Sequence, residues 1–182
     1  MRIRKATLAD AQGAFQVRVK SWQTSYAGIL PARYLAGLDS QDLWHEWQGE
    51  LEDLNHGKVT YVAENQTGQV IGFASGGPER NGDPIFSAEL YAIYLLGANQ
   101  HRGIGSQLFQ SVARDLNQAG HRSMLVWALS ANPTRSFYEK LGGEVVDQKE
   151  IEIAGGNFTE VAYGWRDIRP LTELGFAAKP EV

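Results

Sequence analysis

Residues 91–106 read YAIYLLGANQHRGIGS, and this stretch decides the fold. The aromatic and branched residues 88–96 predict a strand, the polar residues 97–103 a loop, and residues 105–119 a helix. The free N–H groups at the start of a helix bind phosphate oxygens, and glycine lets a ligand approach the backbone closely. The segment therefore predicts a site for a phosphate-bearing ligand, with Arg102 as a nearby cation.

Three phosphate-binding motifs compete for this loop. The dinucleotide fingerprint requires a third glycine where Leu108 stands, and the Walker loop requires a lysine where Ser106 stands. The pattern Gln/Arg-x-x-Gly-x-Gly/Ala does fit, at Gln100, Gly103 and Gly105. For the loop alone, a glycine-containing turn without a ligand is the alternative interpretation.

The remaining chain predicts strands and helices in a mixed order. Helical crossovers imply parallel neighbours and hairpins imply antiparallel ones, so we predict a mixed α/β sheet with helices on both faces. Residues 1–166 are predicted to form one domain, and residues 167–182 a frayed tail. The predicted strands are 3–5, 59–64, 70–75, 123–129, 145–153 and 158–165, and the predicted helices are 7–22, 31–38, 40–54 and 132–141.

Composition excludes several classes of protein. The 182 residues carry a net charge of −4, which provides no overall positive field for nucleic acid. Cysteine is absent, so disulfides and a cysteine nucleophile are excluded. Gly49 occupies the position of the second histidine after His45-Glu46, so no metal is expected. No apolar run follows the basic start or approaches a membrane span, and we expect a cytoplasmic protein without a membrane partner.

A second motif lies further along the chain. Residues 132–142 read NPTRSFYEKLG and match the pattern Asn-x-x-x-x-Phe-Tyr-x-x-x-Gly. With both motifs in order, the chain resembles the GNAT superfamily of acetyl-CoA-dependent N-acetyltransferases over about residues 1–166. The resemblance implies a mostly antiparallel sheet with a V-shaped split between the strands that end at Leu96 and Leu129. Acetyl-CoA is expected in that split.

The resemblance also implies which residues contact the coenzyme. Backbone groups along the first strand of the split are expected to pair with the pantetheine arm, and backbone N–H groups of the glycine loop to hold the pyrophosphate. Gly97 departs from the family, in which proline is frequent. The implied residues are Tyr94, Leu95 and Leu96 for the arm, Gln100, Arg102, Gly103, Ile104, Gly105 and Ser106 for the loop, and Asn132 and Phe137 along the pantetheine path.

Amine acetylation needs a base and an acid. An alkylamine is mostly protonated at neutral pH, so it must lose a proton before it attacks. By resemblance, Tyr138 is the candidate acid for the leaving thiolate, and Glu89, eleven residues before Gln100, is the candidate base through a water. The alternatives are a tyrosine that only packs and a strand-end carboxylate that faces solvent. Strand periodicity predicts that Tyr91 and Ile93 share the face of Glu89.

The sequence alone does not identify the molecule that accepts the acetyl group. Residues 21–31 resemble the acceptor wall of bacterial GNAT proteins of broad substrate range, so Trp22, Tyr26 and Tyr91 are candidate substrate contacts. Trp44 and Trp47 offer further aromatic surface, and simple packing of these rings is the alternative. A small primary amine that attacks directly in a ternary complex is the predicted acceptor. A protein N-acetyltransferase, a non-catalytic acyl-CoA sensor, a different acyl donor and a homodimer stay open.

Overall fold

A computed structural model describes residues 1–52 and 57–173. The strands are β1 Arg2–Lys5, β2 Val59–Glu64, β3 Val70–Pro78, β4 Ala88–Leu95, β5 Met124–Leu129, β6 Glu144–Ile153 and β7 Gly156–Trp165. The helices are α1 Ala11–Ser25, α2 Ala32–Gly37, α3 Gln41–Glu52, α4 Ile104–Gln118 and α5 Ser136–Lys140. Short 3₁₀ turns cover Leu8–Asp10, Gly97–Asn99 and Pro170–Thr172.

The seven strands form one sheet in the order β1-β2-β3-β4-β5-β7-β6. All neighbouring pairs are antiparallel except β4 and β5, which are parallel. Helix α4 connects these two strands, as a parallel crossover requires. The prediction of a mixed, mostly antiparallel sheet is therefore confirmed.

The β4–β5 contact opens into a V. These strands pair only at Ala88 with Met124 and at Glu89 with Leu125, and the pairing stops there. Ser87 and Ser123 strengthen the closed end, because Ser87 N–H donates to Ser123 Oγ at 3.0 Å. The predicted split is confirmed.

Helices cover both faces of the sheet. On one face, α4 buries Leu108, Phe109, Val112 and Leu116 completely, which is the stripe expected from spacings of three and four residues. On the other face, α1 packs around Phe15 and Val19 and around Ala14 and Val17, in two clusters. Among the described residues, no helix is long and apolar enough to cross a membrane.

A register shift in β4 corrects the predicted strand face. Gly76 pairs with Leu90 and Ser75 with Ala92, so Tyr91 is an extra residue opposite β3. An extra residue reverses the alternation that follows it. Ile93 therefore packs with the α4-side cluster, and the prediction that it shares the face of Glu89 is wrong.

Other boundaries also differ from prediction, most clearly at the helix expected after β5 and in the tail. The helix expected at 132–141 begins at Ser136, because the Asn132 side chain instead accepts a hydrogen bond from Thr134 N–H at 2.9 Å and forms a turn. The tail does not fray at 167–173, where Ile168 and Leu171 are buried in the core. Residues 174–182 lie outside the described residues.

Candidate active site

The split between β4 and β5 contains a cavity of about 360 Å³. It is lined by both strands, by the start of α4 and by the segment from Asn132 to Lys140. Among the residues predicted for the coenzyme, those that line it are Tyr94, Leu95, Gln100, Gly103, Gly105, Ser106, Asn132 and Phe137. Leu96 and Ile104 pack in hydrophobic clusters instead, and the Arg102 residue is exposed next to the loop.

The start of α4 offers unpaired N–H groups to this cavity. Gly103 precedes the helix with φ 76°, a left-handed conformation that favours glycine. The first hydrogen bond of the helix runs from Gln107 N–H to Gly103 C=O at 3.1 Å, which leaves the N–H groups of residues 104–106 without helical partners. A Cβ atom on Gly105 would lie 3.4 Å from the Phe137 ring, so a side chain there would extend along that ring.

The walls of the cavity are open strand edges. Beyond Glu89 and Leu125, the facing edges of β4 and β5 no longer pair with each other, while their other edges pair with β3 and β7. Backbone N–H and C=O groups on an open edge can pair with the amides of an extended ligand. Together with the helix start, these edges fit a long amide-containing ligand that ends in phosphates.

Tyr138 lies in the cavity wall with a buried ring. Its ring contacts those of Phe137 and Tyr163, each at a centroid distance of 5.4 Å. Burial raises the pKa of the Tyr138 hydroxyl above its ordinary value, so this hydroxyl stays protonated at neutral pH. No side chain in the described part of the chain hydrogen-bonds to it. This hydroxyl can therefore donate a hydrogen bond to a ligand in the cavity.

Aromatic and hydroxyl groups from α1 form another part of the wall. Tyr26 and Tyr91, two of the candidate substrate contacts, line the first cavity together with Ser21 and Ser25. Trp22 does not line the cavity. It packs edge-on against Tyr26 at 5.1 Å and donates from Nε1 to the Tyr94 hydroxyl at 2.8 Å, so it supports the wall from behind.

Glu89 lies in a second, polar cavity of about 330 Å³ that shares Tyr91 and Trp127 with the first. The residue is only 1% exposed, so it is not a carboxylate that faces solvent. Arg80 holds both carboxylate oxygens, with Nε at 2.9 Å from Oε2 and Nη2 on Oε1. Gly77 allows Tyr91 to cover this corner, because a Cβ atom there would lie 2.5 Å from the Tyr91 hydroxyl oxygen.

Five residues of the second cavity were not predicted as site residues, Asn81 among them. Arg80 comes from the loop after β3, Trp127 from β5, Lys149 from β6 and Glu160 from β7. Lys149 and Glu160 face each other across the β6–β7 pair. The last two strands were predicted to form a hairpin, as observed, but the sequence did not indicate that this hairpin lies next to β5 and brings Lys149 and Glu160 toward Glu89.

Comparisons with known proteins agree with this fold. A model of the FR47-like protein family matches residues 83–151. The uncharacterized N-acetyltransferase YuaI of Bacillus subtilis (strain 168) is 38% identical over 172 residues, which cover 94% of this chain and 96% of YuaI.

Solved structures show the same fold at lower identity. The PaiA N-acetyltransferase of Thermoplasma acidophilum, in complex with coenzyme A, has a TM-score of 0.65 and 24% identity, with 88% of this chain and 96% of that chain covered. YncA of Salmonella typhimurium, a proposed acetyltransferase solved with acetyl-CoA, has a TM-score of 0.68 and 21% identity, with 100% and 98% covered.

The split sheet and the glycine loop at the start of α4 define an acyltransferase fold. The identity with YuaI over nearly the whole chain shows that the protein belongs to the GNAT superfamily of N-acetyltransferases.

Proposed function

We propose that the protein transfers the acetyl group of acetyl-CoA to the primary amine of a small molecule, by direct attack within a ternary complex. The observation that carries this proposal is the junction of two cavities at Tyr91 and Trp127. One cavity has a helix start and open strand edges, and the other contains carboxylates. A donor and an acceptor bound in these cavities would meet at the shared residues.

In this proposal, backbone groups of the first cavity bind acetyl-CoA. The N–H groups of residues 104–106 hold the pyrophosphate, and the open edge of β4 at Tyr94 and Leu95 pairs with the amides of the arm. Gln100 keeps the loop in place because its Nε2 donates to Leu95 C=O at 3.2 Å. Acetyl-CoA supplies the activated thioester, and the chain supplies its position.

Tyr138 acts as the general acid in this proposal. Burial raises its pKa, so the hydroxyl carries a proton at neutral pH, and its ring lies in the wall of the coenzyme cavity. A positioned acid typically accelerates such a step by about 10²–10⁴-fold.

Glu89 is proposed to take the amine proton through a water in the second cavity. Arg80 holds both carboxylate oxygens in a fixed orientation, and Tyr91 beside them lines both cavities. The alternative is that burial among Tyr26, Tyr91 and Trp127 favours the neutral amine, because desolvation lowers the pKa of a cationic amine. The two accounts predict different pH profiles.

The volume of the second cavity favours a small acceptor. A cavity of about 330 Å³ is within the range typical of small-molecule sites, about 300–1,000 Å³. It is lined by the Arg80 loop and by side chains of β4, β5, β6 and β7. A protein or peptide acceptor needs an open groove, and a sensor needs no acceptor site.

Coenzyme release and calorimetry test the proposal together. The wild-type protein should bind acetyl-CoA without added metal and release free thiol when amines are supplied. Gly105→Glu should abolish binding, since its side chain and charge enter the phosphate site. The control Gln107→Glu adds the same charge to α4 at a residue that does not line the cavity, and should bind normally.

Unchanged affinity in a folded Gly105→Glu variant would contradict the coenzyme placement. Binding without thiol release over a broad amine panel would support the sensor, and acetylation of peptides alone would support the protein acetyltransferase.

A further inference from the structure

The second cavity carries charges of both signs in equal number. Its cations are Arg80 and Lys149, and its carboxylates are Glu89 and Glu160. Each cation is paired with one carboxylate, Arg80 with Glu89 and Lys149 with Glu160. An acceptor that enters this cavity therefore meets two ion pairs, and their orientation decides which charge it encounters.

In both pairs the cation is the more exposed partner. The Arg80 side chain is 58% exposed against 2% for Glu89, and the Lys149 side chain is 43% exposed against 21% for Glu160. A ligand that arrives from solvent thus encounters the cations first. This arrangement attracts an anionic group, whereas a site for a polyamine would present its carboxylates to solvent.

Aromatic rings hold the two cations at the junction with the main cleft. The Arg80 guanidinium lies 4.4 Å from the centroid of the Tyr91 ring, and Lys149 Nζ lies 4.0 Å from that of Trp127. Tyr91 and Trp127 are also the residues shared by the two cavities. An anion bound by these cations therefore lies next to the route into the main cleft.

Lys149 keeps hydrogen-bonding capacity for a ligand. Its Nζ is 3.4 Å from Glu160 Oε2, longer than the roughly 2.7–2.9 Å of a charge-assisted hydrogen bond. An ammonium group has three donors, and this pairing leaves donors that a carboxylate can accept.

We propose that the acceptor carries a carboxylate in addition to its primary amine, which makes it a small amino acid. This inference rests on the proposed function. The carboxylate binds at Lys149 and Arg80, and the amine passes between Tyr91 and Trp127 toward the thioester. The ammonium group first loses one proton to the base. The neutral nitrogen then forms a bond to the acetyl carbon, the carbon–sulfur bond breaks, the nitrogen loses a second proton and keeps its third, and the sulfur leaves as a thiolate that takes up one proton. The products are an N-acetyl amino acid and coenzyme A.

Matched substrate pairs test this inference. Free thiol is measured with α- and ω-amino acids, with the amines that lack only their carboxylate, and with 1,4-diaminobutane. The wild-type protein should give the higher kcat/KM with the amino acid of at least one pair. Lys149→Met should lower that preference by about tenfold or more, as expected when a hydrogen bond between charged groups is removed. Lys149→Arg should retain it, and Lys20→Met, an exposed cation on α1, is the control.

Each result separates the inference from the function on which it rests. Thiol release with plain amines or the diamine at equal or higher kcat/KM in every pair would overturn the inference and leave the acetyltransferase proposal intact. An amino acid preference that Lys149→Met does not reduce would overturn the assignment of this cavity. Absence of thiol release with every compound would remove both proposals.

Discussion

Asn132 Nδ2 donates a hydrogen bond to the Tyr26 hydroxyl at 3.1 Å, and this contact joins the end of α1 to the turn that follows β5. The Asn132 side chain is oriented by its own turn, in which Oδ1 accepts from the Thr134 hydroxyl at 2.7 Å. Asn132 and Tyr26 both line the main cavity. The proposed coenzyme wall and the proposed acceptor wall are therefore connected by one partly buried polar contact.

Removing the Tyr26 hydroxyl should destabilise the protein. Tyr26→Phe keeps the ring but leaves the Asn132 amide without this partner, so the free energy of unfolding should fall by about 1 kcal/mol in urea denaturation. The control is Tyr34→Phe, since Tyr34 packs against Trp22 in the same cluster. An equal loss in both variants would show that the hydrogen bond contributes nothing specific.

Tyr138→Phe should lower kcat by at least tenfold and leave the affinity for acetyl-CoA nearly unchanged. The substitution removes the proposed acid and keeps the buried ring, which packs on Phe137 and Tyr163. Tyr163→Phe is the matched control, because Tyr163 is buried beside Tyr138 but bonds to Glu139 at 3.2 Å and does not line the cavity. Steady-state kinetics and calorimetry measure the two quantities. Full activity in Tyr138→Phe would mean that another group protonates the thiolate.

Glu89→Gln should depress the rate most at low pH. If the carboxylate takes the amine proton, activity in the variant should recover as the pH approaches the amine pKa, since free amine then becomes abundant. If Glu89 only attracts the substrate, KM should rise with kcat preserved. Arg80→Gln is the companion variant, since it removes the partner that holds both oxygens of Glu89. A wild-type pH profile in Glu89→Gln would favour desolvation of the amine instead.

We expect Asp10 to make the free energy of unfolding depend on pH in the acidic range. Hydrogen bonds from Arg4 lower its pKa from the ordinary 3.8 to about 2, with further help from Thr7. Because the folded pKa lies below the unfolded one, this stabilisation is complete above about pH 4 and is lost as the pH falls from about 4 to about 2. Asp10→Asn should therefore cost about 2 kcal/mol at pH 7 and much less at pH 2, measured by urea unfolding.

The exposed Asp42 on α3 provides the control for that series. Asp42→Asn should change stability little at either pH. A difference between wild type and Asp10→Asn that stays constant from pH 7 to pH 2 would contradict the contribution assigned to the Arg4–Asp10 pair.

Local signals predicted the elements around the glycine loop. The strand before Gly97, the loop to Gly103 and α4 follow from periodicity and glycine placement alone, and the structure confirms them. The face of Ile93 was not predictable, since the extra residue at Tyr91 exists only in the pairing with β3. The sequence also did not predict that Arg80 binds Glu89. Arg80 lies in a loop, and a loop has no residue periodicity from which the orientation of a side chain could be predicted.

Tertiary packing explains why the prediction of a frayed tail was wrong for residues 167–173. Ile168 and Leu171 are isolated apolar residues in a polar segment, and nothing local indicates that they meet the core beside α4. Ile168 N–H donates to Arg122 C=O at 2.9 Å, a contact between residues far apart in the chain. Such contacts between distant residues depend on the tertiary structure. The prediction that the tail frays used only the composition of the tail, so it missed them.

The open edges of β4 and β5 have a consequence for the stability of the protein. An unpaired strand edge is a template for pairing with another chain, and here two such edges belong to central strands. On the proposed binding mode, the coenzyme arm fills the place of a missing strand and satisfies amides that otherwise depend on water. Ligand that binds only the folded state raises the melting temperature with its concentration. The protein should therefore resist heat and aggregation best when the coenzyme is abundant, so the supply of acetyl-CoA would govern its lifetime as well as its turnover.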